Sequence, residues 1–430
     1  MRPMGRALRS FARRSALPLL VCAVLTALMI YMAFESRRTG LNLWPDLVSG
    51  LSQSTVITGP LASGVCAWAS SRWAAPAADR IRSASRSSAS IRFAHAAETI
   101  GPVVAAFPAA VLVLAIYGMT TGAYGFPFIP WLLALWSCLL AAASFGYAFG
   151  MALGARWFTS VAAAIAFFAL YLLSQSIGLP HGVRSLFPAV IDRDTAFARY
   201  LPESMWGQAV LFTAVSLLLI TAADPARRRL TPPAGIAVAF LAVLAVGGGA
   251  LVVHSNGQYL TGYNSRDFVC SGAQPEICLN RGYAAAHAPL HEEFARFEEK
   301  TRGTTLAPVL LEQNVEGIGD APSPGARSVY LDGVDADGLR LSVFSYATKY
   351  GGQQACMDEG TPYQRILAVA IVDAWLAGFD EYGPGELEPT APGAAEWARM
   401  SGVPVAEGNA WLRTHESEYL SCTLSLGDLP

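Results

Sequence analysis

The sequence predicts an α-helical domain that crosses a membrane about seven times, followed by a small α+β domain outside the membrane. Three observations predict this division at residue 253. Apolar stretches of about 20 residues recur before it, and a helix needs that length to cross a ~30 Å hydrocarbon layer. Residues 1–253 hold 19 Lys and Arg against 8 Asp and Glu, whereas residues 254–430 hold 11 against 24. Four of the seven cysteines fall in the acidic part.

Seven apolar segments define the predicted helices of the first domain. The first follows several arginines, but its length of about 20 residues and the lack of a clear small-residue cleavage site favour an uncleaved anchor over a signal peptide. The second has the weakest signal, because residues 51–60 are polar for lipid and Pro60 interrupts it. The segments cover residues 15–34, 51–70, 102–123, 130–154, 157–179, 205–223 and 234–253.

Arginine clusters predict the orientation of these segments. Short loops rich in arginine and lysine are retained on the cytoplasmic side of a membrane. If the seven spans alternate, all the clusters lie on one side, so we expect the N-terminus in the cytoplasm and residues 254–430 outside. The clusters are Arg2, Arg6, Arg9, Arg13 and Arg14 before the first span, Arg72, Arg80, Arg82, Arg86 and Arg92 after the second, and Arg227, Arg228 and Arg229 after the sixth.

The second domain shows patterns of both helix and strand. Apolar residues recur at helical spacing in residues 286–300 and 361–379. Residues 327–331 and 339–347 alternate between apolar and polar side chains around a turn at 332–338 that is rich in Asp and Gly, which predicts two strands. A domain of ~175 residues is large enough to bury a core of its own.

The cysteines of the second domain predict disulfides. Cys270, Cys278, Cys356 and Cys422 fall in the part of the chain that we expect outside, where an oxidising compartment lets them pair. Four cysteines allow three pairings, and the sequence excludes none of them. We favour Cys270 with Cys278, which closes a small loop, and Cys356 with Cys422. The other three cysteines lie inside predicted spans, where cysteine is usually a small packing residue.

Two kinds of energy source are missing from the sequence. A P-loop needs a lysine after glycine to reach the phosphates of ATP, yet Lys300 and Lys349, the only two lysines, follow Glu299 and Thr348. A carrier driven by ions generally needs ionisable groups at membrane depth, and the seven segments contain no Asp, Glu, Lys, Arg or His. We therefore expect no enzymatic activity and no bound cofactor. The acidic excess of the second domain argues against nucleic acid as a partner.

Three glycines in the fourth segment predict close helix packing. Gly146, Gly150 and Gly154 are four residues apart and lie on one helical face. Small residues at this spacing let two helices approach closely in a membrane. Packing within the chain is the favoured interpretation, and contact with a second copy of the protein is the alternative.

The loop between the second and third segments is the strongest candidate for a partner site. It carries arginines among large apolar residues, namely Arg80, Arg82, Arg86 and Arg92 among Ile81, Ile91 and Phe93. One interpretation is a solvated loop that touches lipid headgroups. The other is an amphipathic segment that docks onto an ATPase subunit.

His287 and His291 have the spacing of a metal-binding pair on a helix. Pro289 lies between them, and a zinc peptidase with the H-E-x-x-H motif would need histidine where Ala295 stands. A charged, solvated helix is therefore the favoured interpretation, and we expect no metal site.

Two stretches of the sequence resemble a known family. Residues 59–73, GPLASGVCAWASSRW, are similar to the second-span pattern of ABC-2-type permease-like proteins of actinobacteria, with matches at Gly59, Pro60, Leu61, Ala67, Trp68 and Arg72. Some of these proteins also carry a long extracytoplasmic C-terminal domain with a cysteine pair around PEICL and, later, a cysteine and a helix ending in Trp-Leu. The matches are Cys270, Pro275, Glu276, Cys278 and Leu279, then Cys356, Trp375 and Leu376.

The resemblance implies a permease-like transmembrane domain over residues 1–253 and an extracytoplasmic domain over residues 254–430, in a bacterial plasma membrane. It implies export, a separate ABC ATP-binding subunit that uses the ATP, and a homodimer or heterodimer of membrane subunits. Ordinary ABC-2 permeases have six spans with both ends inside, whereas a seventh here would export the tail. Two alternatives stay open: a membrane-anchored sensor or binding module with an extracytoplasmic ligand-binding domain, and an inactive peptidase-like ectodomain.

Overall fold

The computed structural model describes residues 17–37, 40–83, 88–174, 185–187, 198–200, 202–223, 232–255, 260–263, 268–272, 274–314, 323–331, 333–357, 360–379 and 393–430. The chain separates into two compact units. The first comprises Met1–Arg37 and Leu43–Tyr263, and the second comprises Arg38–Asn42 and Asn264–Pro430. The division falls at Tyr263 rather than at residue 253, and a short segment after the first helix belongs to the C-terminal unit.

Helices dominate the first unit. In the described residues they are α1 (Leu17–Glu35), α2 (Trp44–Ser83), α3 (Ser88–Thr121), α4 (Ile129–Leu153), α5 (Thr159–Ser174), α6 (Pro202–Ala222) and α7 (Pro232–His254). Two short antiparallel strands, β1 (Ala198–Tyr200) and β2 (Leu260–Tyr263), accompany them. Five stretches are long and apolar enough to cross a membrane: Pro18–Glu35, Phe93–Thr121, Ile129–Leu153, Pro202–Ala222 and Gly235–His254. These helices agree with a helical membrane protein, and the number of seven spans stays a prediction.

Two predicted spans are not among these five stretches. Residues 51–70 lie within α2, a 40-residue helix whose composition is too polar to qualify. Residues 157–179 correspond to α5, which is apolar but has only 16 residues, or about 24 Å of helix. Residues 175–179 lie outside the described ranges.

Helices α2 and α3 form an antiparallel hairpin whose open end is fixed by the backbone. Leu43 and Tyr124 form an isolated β-bridge, and the N–H of Trp44 donates to the carbonyl of Tyr124 at 3.0 Å. At the same end, the Trp44 indole of α2 lies over Gly118 of α3. A Cβ on Gly118 would lie only 2.5 Å from this ring. The start of α2 and the end of α3 therefore lie side by side.

A four-stranded sheet, in the order β3-β4-β5-β6, organises the second unit. Strand β3 (Phe268–Ser271) is antiparallel to β4 (Glu276–Asn280), whereas β4, β5 (Leu310–Gln313) and β6 (Arg327–Val329) are parallel. Helix α8 (His287–Thr301) makes the crossover from β4 to β5 that a parallel pair requires. The later helices among the described residues are α9 (Ala336–Tyr350), α10 (Tyr363–Ala377), α11 (Ala394–Ser401) and α12 (Val405–Leu420).

The predicted strand at 339–347 is wrong, because these residues belong to α9. Leu339, Val343 and Tyr346 are buried at spacings of four and three, which is the period of one helix face. Asp335 caps the helix by accepting a hydrogen bond from the N–H of Gly338 at 3.2 Å. Residues 339–347 are few enough that their apolar side chains fit both the alternation of a strand and the period of a helix.

Aromatic rings hold α8 against α9 in the core of the second unit. Phe294 and Phe297 of α8 pack edge to face on Tyr346, with ring centres 5.4 and 5.3 Å away. Such pairs contribute about 0.5–1.5 kcal/mol beyond the area that they bury. Ile277 and Leu311 of the sheet are also fully buried. This unit thus combines helices with a small sheet, and its place outside the membrane stays a prediction.

Candidate functional site

Among the described residues, helix α2 carries about half of the buried serines and threonines of the first unit. Many of them donate to a carbonyl one turn earlier, as Ser54 does to Leu51 at 2.6 Å and Thr58 does to Ser54 at 2.9 Å. Hydroxyls satisfied in this way tolerate an apolar surrounding. The buried polar residues of α2 are Asp46, Ser49, Ser52, Ser54, Thr55, Thr58, Ser63, Ser70 and Ser71.

The predicted glycine face of α4 contacts α2 within the chain. A Cβ on Gly146 would overlap the carbonyl oxygen of Ser63, and one on Gly150 would overlap the side chain of Ser70. Gly154 plays another part, since it ends α4 with a φ of 68° and has no atom within 4 Å of its Cβ position. The close approach of α2 and α4 therefore explains Gly146 and Gly150 without a second copy.

Hydroxyl groups also join α2 to α5. Ser63 Oγ donates to the carbonyl of Ala163 at 3.2 Å, and Ser160 Oγ donates to the carbonyl of Gly64 at 2.9 Å. Bonds between helices of this kind stabilise membrane bundles by about 0.6–2 kcal/mol each. Helix α2 is thus fixed to both α4 and α5.

Ionisable residues lie in helices where the predicted spans had none. The membrane-length stretch of α3 begins at Phe93, nine residues before the predicted span, and so includes His95 and Glu98. His95 Nδ1 lies 3.2 Å from Tyr147 Oη. Asp46 is 1% exposed in the first turn of α2, where the helix dipole favours a negative charge. The membrane-length stretch of α3 therefore includes two ionisable residues that lie outside the predicted span.

The arginine-rich turn of the α2–α3 hairpin, residues 80–92, remains a candidate partner site. Arg80 and Arg82 fall at the end of α2, and Arg92 falls at the start of α3. Arg86 lies in residues 84–87, outside the described ranges, and the side chains of all four arginines also lie outside what the structure describes.

The second unit contains both favoured disulfides. Cys270 is bonded to Cys278, its direct neighbour across the β3–β4 pair, and Cys356 is bonded to Cys422, 66 residues later. Cys270 is exposed, whereas Cys356 and Cys422 are 4% and 3% exposed. The pairing that the sequence left open is resolved by the strand register in one case and by the packing after α9 and α12 in the other.

The predicted histidine pair faces the loop that the first disulfide closes. His287 Nδ1 lies 2.7 Å from Ser271 Oγ. The ring of His291 packs against Gly272 so closely that a Cβ on Gly272 would lie 2.6 Å from it. Partial burial lowers the pKa of His287, and a backbone hydrogen bond to Val269 opposes that shift. Both Nε2 atoms are buried without a hydrogen-bond partner.

This pair has no third metal ligand nearby among the described side chains. The one cluster there of three possible ligands within 4.8 Å of one another is Cys270, Glu276 and Cys278, and its two sulfurs are bonded together. Successive residues of a strand point to opposite faces, so Cys270 faces away from the Ser271 side chain that meets His287. The histidines and the sulfurs therefore do not form one site.

Sequence reasoning missed a buried carboxyl group in α10. Asp373 is 0% exposed, its Oδ1 accepts a hydrogen bond from the hydroxyl of Tyr419, and its Oδ2 has no hydrogen-bond partner. Burial raises the pKa of Asp373 to about 7, and the bond from Tyr419 offsets part of that rise. A single acid inside the apolar run ILAVAIVDAWLA was the signal that could have revealed it.

Lys300 contacts the C-terminal end of α10. Its Nζ donates to the carbonyl of Trp375 and lies 5.0 Å from the centre of the Trp375 ring. Burial lowers the pKa of Lys300 to about 8, and the nearby Arg296 acts in the same direction. A cation on the last carbonyls of a helix stabilises it, so these contacts give Lys300 a structural role.

Comparisons with known proteins assign no function to this arrangement. Comparison of the chain with protein-family models, with curated proteins and with solved structures gives no match.

Proposed function

We propose that this chain is the membrane-spanning subunit of an ABC-type exporter of the ABC-2 kind, energised by a separate ATP-binding subunit in a bacterial plasma membrane. In this proposal two membrane subunits pair to form the export path. The observation that carries the proposal is the length of the α2–α3 hairpin and the position of its arginines.

The hairpin is longer than a bilayer is thick. Helices α2 and α3 have 40 and 34 residues, or about 60 and 51 Å at 1.5 Å per residue. A hydrocarbon layer takes about 30 Å of this. The two helices therefore exceed the hydrocarbon thickness by about 20 Å or more. In α3, residues 88–92 precede Phe93, where its apolar stretch begins, and they account for about 8 Å of this length.

The projecting end suits a contact with a cytoplasmic partner. Its arginines favour the cytoplasmic side of the membrane. A basic helical turn offers charge and hydrogen-bond donors to carboxylates on another protein. Helix α2 is packed on α4 through Gly146 and Gly150, so a displacement of α2 would be passed to α4.

The segment after α1 supports an outside location for the C-terminal unit. Residues Arg38–Asn42 belong to the same compact unit as Asn264–Pro430. Within that unit Gly40 lies against Val334, where a Cβ would approach the valine Cβ to 2.9 Å. If α1 crosses the membrane from a cytoplasmic N-terminus, this segment and the C-terminal unit lie outside, where disulfides persist.

Affinity purification tests the proposal. The tagged chain, solubilised from its own membranes, is expected to recover a P-loop ATPase. Replacing Arg80, Arg82 and Arg86 together with alanine should reduce that recovery at least tenfold, because the projecting turn loses its charge. The matched control replaces Arg227, Arg228 and Arg229, a cytoplasmic cluster that is not on the hairpin, and should leave recovery unchanged.

Two results would contradict the proposal. One is the absence of any P-loop ATPase from the purified native chain at normal expression. The other is equal recovery with both triple variants, which would show that the hairpin turn is not the contact.

A further inference from the structure

A cavity of ≈ 370 Å³ lies between α4, α6 and α7 of the first unit. Each of these helices contains a stretch long and apolar enough to cross a membrane. The polar groups of the lining are the hydroxyls of Ser137 and Thr213 and the indole N–H groups of Trp136 and Trp206. Ser137 Oγ already donates to the carbonyl of Ala134 at 2.8 Å. The cavity thus lies among three helices that could cross a membrane.

Helix α6 contributes the longest part of the cavity lining. Its lining side chains recur every three or four residues and form one stripe, made of Trp206, Ala209, Val210, Thr213, Ala214 and Leu217. From Trp206 to Leu217 the stripe extends about 16 Å along the helix. Ala209 and Ala214 are small, so they leave room beside α6. The larger side chains of Leu133 and Trp136 on α4 and of Leu241 and Leu244 on α7 line the other sides of the cavity.

We infer that this cavity binds one acyl chain of a phospholipid from the surrounding bilayer. Its volume lies in the range of ligand pockets, about 300–1,000 Å³. A transmembrane helix 16 Å long and 10 Å wide occupies about 1,200 Å³, so the cavity is too small to enclose a helix of a second copy. A single hydrocarbon chain, a few ångströms wide, fits both this volume and the mostly apolar lining.

Packing supplies the binding energy. Lipid and cavity wall are equally apolar, so transfer between them carries no hydrophobic gain. An acyl chain in the groove instead contacts three helices, and an empty groove would leave their side chains without those contacts. Trp136 is held in place because its Nε1 donates to the carbonyl of Val104 at 3.1 Å.

Tryptophan fluorescence of the delipidated full chain in detergent tests this inference. The probe is a phospholipid brominated on its acyl chain, because bromine quenches indole fluorescence at contact. Trp206 lines the groove and is 47% exposed. Quenching is expected to saturate near one equivalent of lipid, to fall in Trp206→Phe, and to persist in Trp157→Phe, which removes a 93% exposed tryptophan that does not line the cavity.

Substitutions that fill the cavity with a phenylalanine ring provide the second part of the experiment. Thr213 and Val210 line the cavity and are exposed, so Thr213→Phe and Val210→Phe place a ring in the groove rather than in the helix packing. Both are expected to abolish the saturable quenching, whereas Val243→Phe, on an exposed position of α7 that does not line the cavity, should keep it. Quenching that rises without saturation and is the same in all variants would overturn the inference, as would cross-linking of a second copy into the groove.

Discussion

Asp373 shows how a single buried acid makes the stability of the second unit depend on pH. Its ordinary pKa of 3.8 rises to about 7 because the carboxyl group has no exposed surface. Below pH 3.8 the group is protonated in both the folded and the unfolded chain. Between pH 3.8 and 7 only the unfolded chain ionises, so the free energy of unfolding falls as the pH rises and levels off above 7.

Replacing this carboxyl group should remove its contribution to the pH dependence. We expect Asp373→Asn to keep an acceptor for Tyr419 but to stay neutral, so its stability relative to the native chain should increase by up to about 4 kcal/mol between pH 4 and pH 8. Thermal unfolding of the purified full chain at both pH values measures this difference. Glu407→Gln, on an exposed acid of α12, is the control, and an equal response of both variants would show that Asp373 is not the group responsible.

The residues of the second unit also show where sequence reasoning stops. The four cysteines predicted two disulfides, but the choice of partner depends on Cys270 standing opposite Cys278 in the sheet, which is a property of register. Asp373 was not predicted, because a lone acid in an apolar helix reads as an exposed residue until the packing around it is known. The histidine spacing was visible in the sequence, whereas the missing third ligand is a fact of three dimensions.

At the scale of elements, α2 shows that a helix of the bundle can have a composition too polar to qualify as a membrane span. A helix buried among other helices need not be apolar, since its hydroxyls bond to its own backbone and to α5. The sequence predicted a weak span at residues 51–70, and the structure places a 40-residue helix there. Its full length could not be predicted, because the arginines and alanines beyond residue 70 carry no membrane signal.

The contact between α2 and α4 gives a prediction at this scale. Gly146→Ala should destabilise the first unit by about 1–3 kcal/mol, because the new methyl group meets the backbone carbonyl of Ser63, which cannot move without α2. Gly247→Ala on α7, where no atom lies within 4 Å of the Cβ position, should instead be neutral or stabilising, since alanine favours helix more than glycine.

Thermal unfolding of the two purified variants in the same detergent compares them. A loss of stability in both would indicate a general intolerance of substitution in the helices. No loss in Gly146→Ala would contradict the close packing of α2 on α4.

At the scale of the whole molecule, the broad division of the chain was predictable from composition. Apolar stretches and arginines mark one unit, and acids and cysteines mark the other, because lipid and water select different residues. The boundary at Tyr263 and the membership of residues 38–42 in the second unit depend on long-range contacts such as that of Gly40 with Val334. No local pattern in the sequence records those contacts.

The proposed exporter requires the arginine turn and the C-terminal unit to lie on opposite sides of the membrane, and cysteine labelling tests this most directly. Single cysteines would be introduced as Ser83→Cys at the last residue of α2 and as Ser401→Cys on an exposed position of α11, and intact cells would be treated with a membrane-impermeant maleimide. We predict that Ser401→Cys is labelled in intact cells and that Ser83→Cys is labelled only after the cells are opened. Labelling of Ser83→Cys in intact cells, or protection of Ser401→Cys until lysis, would contradict the orientation on which the proposed function rests.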